Sequence, residues 1–161
     1  MSEIGRLVGI ARKAKKRAPM EELEQVRITS EGGLDGDFRG SVRNRAVTVL
    51  ARESWTAALA DLAPAMDLPW TLRRANLLVE GIALPQLVCA RLQIGPVLLE
   101  IMDETWPCAR MEEQHPGLRK ALIPDWRGGV VCRVLEGGEV TLGDDVEILP
   151  SPEVRRAAQG A

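Results

Sequence analysis

A mainly β fold, a closed or partly open barrel with a few short inserted helices, is what this sequence predicts. Three observations predict it. About eight short apolar runs of strand length recur along the chain, bounded by Gly, Pro or Asp. These runs do not alternate regularly with helical patterns, which argues against a parallel doubly wound sheet. Two stretches also share one pattern: Leu92-Gln93-Ile94-Gly95 leads into residues 97–101, and Val140-Thr141-Leu142-Gly143 leads into residues 145–149. A glycine corner of this kind lets a strand turn and helps a barrel close.

The elements follow in order. Leu7-Val8-Gly9-Ile10-Ala11 reads as a strand, and residues 23–29 as a second. Between them a basic stretch, residues 12–17, reads either as an anion-binding patch or as a solvated hairpin turn. The turn is favoured, because the stretch holds no aromatic to stack on a base. The segment Glu31-Gly32-Gly33-Leu34-Asp35-Gly36-Asp37-Phe38-Arg39-Gly40 lacks the spacing of a P-loop or a dinucleotide fingerprint and reads as a tight structural loop. Ala46-Val47-Thr48-Val49-Leu50 is a strand rich in β-branched residues. Residues 53–62 form the clearest helix, with Trp55, Ala58, Leu59 and Leu62 on one face, and Pro64 and Pro69 end it. Further strands are read at 76–79, 90–94, 97–102, 129–135, 139–142 and 146–149, with a short helix at about 116–121. Residues 1–149 are expected to form one domain, and residues 150–161, poor in apolar side chains, a flexible tail.

Bulk properties narrow the function. A formal charge of −2 argues against a general nucleic-acid partner. There is no apolar run long enough to cross a bilayer and no signal-peptide core, so the expected location is the cytoplasm. Three cysteines without CxxC spacing suit free thiols in a reducing compartment. A single histidine, His115, makes a zinc site or a serine–histidine triad hard to build, and reads as a surface residue.

Cys108 is the candidate catalytic residue. It follows a strand-like run in Glu104-Thr105-Trp106-Pro107-Cys108-Ala109-Arg110, and a neighbouring cation such as Arg110 supports thiolate character. A packed thiol behind Pro107 is the competing reading. Cys89 and Cys132 lie in apolar strand text and read as core. Trp106 reads as pocket wall or core filler, the latter being commoner for one tryptophan. Arg39, Arg43, Arg45, Arg73, Arg74 and Arg127 fall at strand starts or loop ends. If those ends converge, their guanidinium forks make an anion pocket, and Asn76 adds an amide able to read a heterocycle edge. Asp35 and Asp37 read as loop caps.

The ordered set Gly33-Leu34-Asp35-Gly36-Asp37, Arg45-Ala46-Val47-Thr48-Val49-Leu50, Arg74-Ala75-Asn76-Leu77-Leu78-Val79-Glu80-Gly81, Leu92-Gln93-Ile94-Gly95, Pro107-Cys108, Arg127-Gly128-Gly129-Val130 and Gly143-Asp144 resembles the MOSC domain, named for the C-terminal part of molybdenum cofactor sulfurase. The resemblance spans residues 4–149 and is to a small stand-alone bacterial type. It implies a MOSC-like barrel that binds molybdenum cofactor (molybdopterin), with Cys108 carrying sulfur or ligating molybdenum. Arg74 and Asn76 would help hold the pterin and its phosphate. Arg45, Arg127 and Gly128 complete the expected cofactor-binding set. Three roles stay open: a sulfur carrier with transferase activity, a molybdenum-dependent reductase of N-hydroxylated compounds, and a non-catalytic delivery module. Many relatives have a histidine in the glycine loop where this chain has Phe38-Arg39. The chain also lacks the pyridoxal-phosphate desulfurase portion of the full sulfurases. A separate desulfurase would then donate the sulfur and a molybdoenzyme accept it, with no nucleic-acid or membrane partner.

Overall fold

The computed structural model describes residues 3–149. The expected tail, residues 150–161, lies outside them. The strands are β1 (Gly5–Arg12), β2 (Glu21–Glu22), β3 (Gln25–Thr29), β4 (Gly33–Leu34), β5 (Val47–Ala51), β6 (Leu77–Glu80), β7 (Arg91–Ile94), β8 (Val97–Glu104), β9 (Val130–Glu136), β10 (Gly138–Thr141) and β11 (Asp145–Leu149). The helices are α1 (Arg52–Ala60), α2 (Ala109–Gln114) and α3 (Leu118–Ala121). Seven strands close a barrel in the order β1-β6-β5-β9-β8-β7-β11, with β11 returning to β1. The sheet is therefore closed, and the expected mainly β barrel with short helices is what forms. A separate three-stranded sheet, β10-β3-β4, contributes Val26, Ile28, Leu34 and Val140 to the same core.

The two repeated glycine corners meet each other. Gly95 joins β7 to β8 at φ +53°, and its N–H donates to the Asp145 carbonyl at 3.0 Å. That left-handed φ favours glycine, and a Cβ there would lie 2.4 Å from Asp144 Oδ2, whose side chain would have to shift. The corner thus turns one hairpin and seats the other, which sets the β7–β11 seam that helps close the barrel.

One pair breaks the antiparallel pattern. β5 and β6 run parallel, Val49 beside Leu77 and Ala51 beside Val79, because α1 makes the crossover between them. Both faces of this pair are covered, as parallel strands require. Val49, Leu77 and Val79 face the barrel core. Leu50 and Leu78 face outward into a second cluster with Trp55, Ala58 and Leu59 of α1, Met111 of α2 and Leu118 of α3. Helix α1 starts and ends slightly earlier than its periodicity suggests. Helix α2 was not legible in the sequence, since Met111 is its only buried residue.

Candidate functional site

The alternation of β5 and β9 places the site on the outside of the barrel wall. Thr48 and Val131 are direct cross-strand partners. Their neighbours Val47, Val49, Val130 and Cys132 point into the core, so these two face out. They line a cavity of about 380 Å³. One lip is the loop after β1, with Lys13, Lys16 and Arg17. The glycine loop and its exit supply Arg39 and Arg45, the turn before β6 supplies Arg73 and Arg74, and the segment after β8 supplies Thr105, Trp106, Cys108, Arg110 and Met111. Among the described lining residues eight are cations and none is a carboxylate, in a chain whose formal charge is −2. Charge is thus segregated here rather than spread over the surface.

Local hydrogen bonding explains why the lips converge. Asp37 Oδ1 accepts from the Lys13 N–H at 3.0 Å, and the Phe38 N–H donates to the Lys13 carbonyl at 2.7 Å. Arg12 Nη1 donates to the Asp35 carbonyl at 2.8 Å. The glycine loop closes on itself at Gly33, φ +63°, where a Cβ would lie 2.6 Å from the Gly40 carbonyl oxygen. Asp37 therefore does cap the loop, but the capped loop carries one wall of a cavity. The basic stretch read as a solvated turn belongs to that wall too. Arg74 sits at φ 64°, a left-handed conformation that non-glycine residues rarely adopt, and its Nη2 donates to the Ala18 carbonyl. This ties the turn before β6 to the basic lip.

Cys108 is exposed and lines the cavity, whereas Cys132 is buried and Cys89 half-buried. Burial pushes the Cys132 thiol well above the ordinary thiol range. Cys89 lies just before β7 at φ 75°, outside the strand where it was expected. Cys108 is held from both sides. Buried Pro107 precedes it, and buried Met111 anchors α2 after it. The expectation that Trp106 fills core is overturned: it is 63% exposed and stands at the cavity mouth.

Arg73 is the most buried cation of the set, at 6% exposure. Nε donates to the Gly128 carbonyl and Nη2 to the Thr105 carbonyl, both at 2.9 Å. Burial lowers its pKa to about 10, a fall the negative charge of a Cys108 thiolate opposes, so Arg73 remains a cation at neutral pH. It joins the segment carrying Cys108 to the turn before β9. Lys13 is also held below its ordinary value. Burial is the main cause, Asp37 opposes it, and the positive charges of Arg74, Arg39 and Arg110 add to it. A bound anion offsets that repulsion and restores the cation. Anion affinity should therefore fall as pH rises through the depressed Lys13 pKa. In Lys13→Arg, which keeps its charge, most of that fall should vanish. Calorimetric titration with phosphate checks this, and an equal fall in both proteins would count against Lys13.

Not every expected residue reaches the cavity. Arg45, Arg74 and Cys108 line it; Asn76, Arg127 and Gly128 do not. Asn76 is buried, and its Oδ1 accepts from Thr48 N–H and Thr48 Oγ1 at 3.0 and 3.2 Å while Nδ2 donates to the Ala11 carbonyl at 3.2 Å. Its amide fixes Thr48, which lines the cavity, instead of facing a ligand. Arg127 Nη1 donates to Asp61 Oδ2 at 2.6 Å and to the Ala121 carbonyl at 3.0 Å, bracing α1 against α3. Gly128 serves through its carbonyl, which orients Arg73. His115 is half-buried, with Nε2 2.8 Å from Met66 Sδ, and does not line the cavity. Arg43 is outside it as well. A second cavity of about 330 Å³ includes Glu3, Glu53 and Asp125 in its wall, and among its described lining residues none is a cation.

The site is an exposed thiol inside a cationic cavity on the outer wall of a closed barrel. The sequence matches the MOSC domain over residues 35–147, and the chain belongs to that family, which is associated with molybdenum cofactor binding. No curated protein matches the sequence. The fold is similar to that of the YuaD protein from Bacillus subtilis, with a TM-score of 0.73 and 18% identity over 90% of this chain and 95% of that one. It is also similar to YiiM from Geobacillus stearothermophilus, with a TM-score of 0.70 and 16% identity over 90% and 75% of the two chains. YiiM from Escherichia coli gives 0.62 and 17% over 89% and 69%. Among the described residues no helix is long and apolar enough to cross a membrane.

Proposed function

We propose that this MOSC domain binds molybdenum cofactor in the Cys108 cavity, with the Cys108 thiolate either ligating the metal or carrying sulfur for it. The observation that carries the reading is the exposed thiol in a wall of eight cations and no carboxylate among the described lining residues. The donor set suits such a ligand. Among the described residues no cluster of three or more His, Cys, Asp or Glu side chains could hold a bare ion. A metal here must bring most of its own donors, as a metal in an organic chelate does, and a soft thiolate can add one more. When bound, the cofactor would supply a metal centre open to oxygen and sulfur exchange. The chain's own residues do the rest. Arg39, Arg45 and Arg74 would take the cofactor's phosphate, with guanidinium forks matched to its oxygens. Arg73 holds the Thr105 and Gly128 carbonyls, and so the strand ends beside Cys108, in register. Trp106 covers the mouth.

The test is the content of the purified chain. Made in a bacterial strain that synthesises the cofactor, it should carry molybdenum by mass spectrometry and a fluorescent pterin after oxidation. Both should be missing when it is made in a strain blocked in cofactor synthesis. Metal on the protein favours the ligand role. A Cys108 peptide heavier by one sulfur atom, without metal, favours the carrier role. A chain from the producing strain with no metal, no pterin and no added sulfur overturns the proposal.

A further inference from the structure

We infer that the second cavity, at one end of the barrel, is a binding site for a small organic cation: an amine or guanidinium carried on a flat or apolar body. It shares no lining residue with the Cys108 cavity, so the inference stands apart from what that cavity holds. The cavity, about 330 Å³, lies beyond the carboxyl ends of the parallel pair β5–β6, where α1 begins and the chain turns after β6. That volume is within the range of small-molecule sites. Its floor is apolar. Ala51, Ile82 and Val130 are buried there, and half-buried Leu84 and Trp126 line it while packing against the barrel core. Its walls are fixed by hydrogen bonds. Glu53 Oε2 accepts from the Gly81 N–H at 2.8 Å, which ties α1 to the turn after β6. Gln86 Nε2 donates to the Asp125 carbonyl at 3.1 Å, which ties the same segment to the one before β9.

The charges select the ligand. Glu3, Glu53 and Asp125 are the charged groups among the described lining residues, and none of the three has an ion-pair partner among the described residues. The cations next to them in sequence are committed elsewhere. Arg52, beside Glu53, pairs with Glu80 at 3.0 Å, and Arg127, beside Trp126, pairs with Asp61 at 2.6 Å. The fold therefore leaves the negative charge of this cavity unbalanced. A bare metal ion does not answer it. Among the described residues no three His, Cys, Asp or Glu side chains come close enough to hold one, so these carboxylates stand around the cavity and do not converge on a point. An anion is repelled, and a neutral molecule would cover the floor but leave the carboxylates unpaired. An organic cation meets both demands: its body covers the apolar floor and its charge faces the carboxylates. The face of the Trp126 ring adds its own attraction for a cation. Carboxylates that merely keep a surface wet need no apolar floor between them.

The test follows the indole N–H signals of the four tryptophans by nuclear magnetic resonance, on the isotope-labelled full chain. Trp126→Phe identifies the Trp126 signal. Three probes share a benzyl group: benzylamine is a cation, benzyl alcohol is neutral and phenylacetate is an anion. Benzylamine should shift the Trp126 signal. Benzyl alcohol should bind there about tenfold more weakly, and phenylacetate should leave Trp126 unmoved. Glu53→Gln and Asp125→Asn should each weaken benzylamine by up to about fivefold and leave benzyl alcohol unchanged. Both substitutions spare the fold. A glutamine can still accept from the Gly81 N–H, and an asparagine tolerates the left-handed φ of 52° at position 125. Added salt should narrow the gap between amine and alcohol. The inference fails if benzylamine leaves the Trp126 signal in place, if the alcohol binds as tightly as the amine, or if both variants bind the amine like the wild type. The comparison of amine with alcohol uses the wild type alone, so it decides the matter even where a variant misfolds.

Discussion

Cys108→Ser is expected to melt within about 2 °C of the wild type and, under the proposed function, to lose whichever of molybdenum or added sulfur the wild type carries. The thermal half follows from exposure. Cys108 is on the surface, its backbone carbonyl keeps accepting from the Met111 N–H at 2.9 Å, and surface substitutions of this size change stability by about 0.5 kcal/mol or less. The chemical half follows from the atom exchanged. A serine hydroxyl is not ionised at neutral pH and is a hard oxygen donor where a soft thiolate would bind. It cannot form a sulfur–sulfur bond, so the carrier role ends as well. Cys132→Ser is the informative control. That thiol is fully buried in the barrel core, so the variant should melt lower and keep its molybdenum. If Cys108→Ser keeps its full metal and pterin content, and the wild type carries no added sulfur at Cys108, neither chemical role stands, and the cavity is a delivery module that grips the cofactor by its charges alone.

Sequence patterns carried the barrel further than they carried the site. Strand faces were legible because alternation is local: Val47 and Val49 are core, and Thr48 between them faces out. The glycine corners were legible because positive φ leaves a mark on composition, although their mutual contact did not. What escaped depends on partners far along the chain. The parallel β5–β6 pair and the β1–β11 closure join segments that no local pattern connects. The basic stretch read as a solvated turn has the same composition whether it faces water or a cavity. Only its bonds to the glycine loop, some two dozen residues later, decide that. Trp106 misled for a related reason. Tryptophan reads as core by its bulk, yet here the buried neighbour is Pro107. Arg73 was visible only as one arginine of several; that it is the buried one, and that Asn76 and Arg127 turn inward to the protein, required coordinates.

Arg73→Lys, which looks conservative, is expected to damage the protein more than Arg73→Met. The guanidinium reaches two carbonyls at once through Nε and Nη2, each at 2.9 Å. One ammonium at the end of a flexible stem cannot occupy both positions, so one buried carbonyl loses its donor, at about 1–3 kcal/mol. The lysine still buries a positive charge, and an ammonium is the more strongly hydrated cation. Both terms have the same sign, and together they predict a loss of about 2–3 kcal/mol, or roughly 5–10 °C for a chain of this size. Arg73→Met leaves two carbonyls unpaired, at about 2–6 kcal/mol, but removes a buried charge whose desolvation costs on the order of several kcal/mol, so its terms oppose each other and its net loss is expected to be smaller. A pH series separates the causes. A buried lysine has its folded pKa depressed below the unfolded value, so in the alkaline window the unfolded chain binds more protons and stability rises with pH. Arg73, at about 10 in the folded state, stays protonated on both sides of the equilibrium from pH 7 to about pH 9 and contributes no slope there. The melting temperature of Arg73→Lys should therefore climb toward the wild type over that range. A gap that stays constant, or a methionine variant that melts lower than the lysine one, would show that hydrogen bonding alone, and not the burial of charge, governs this position.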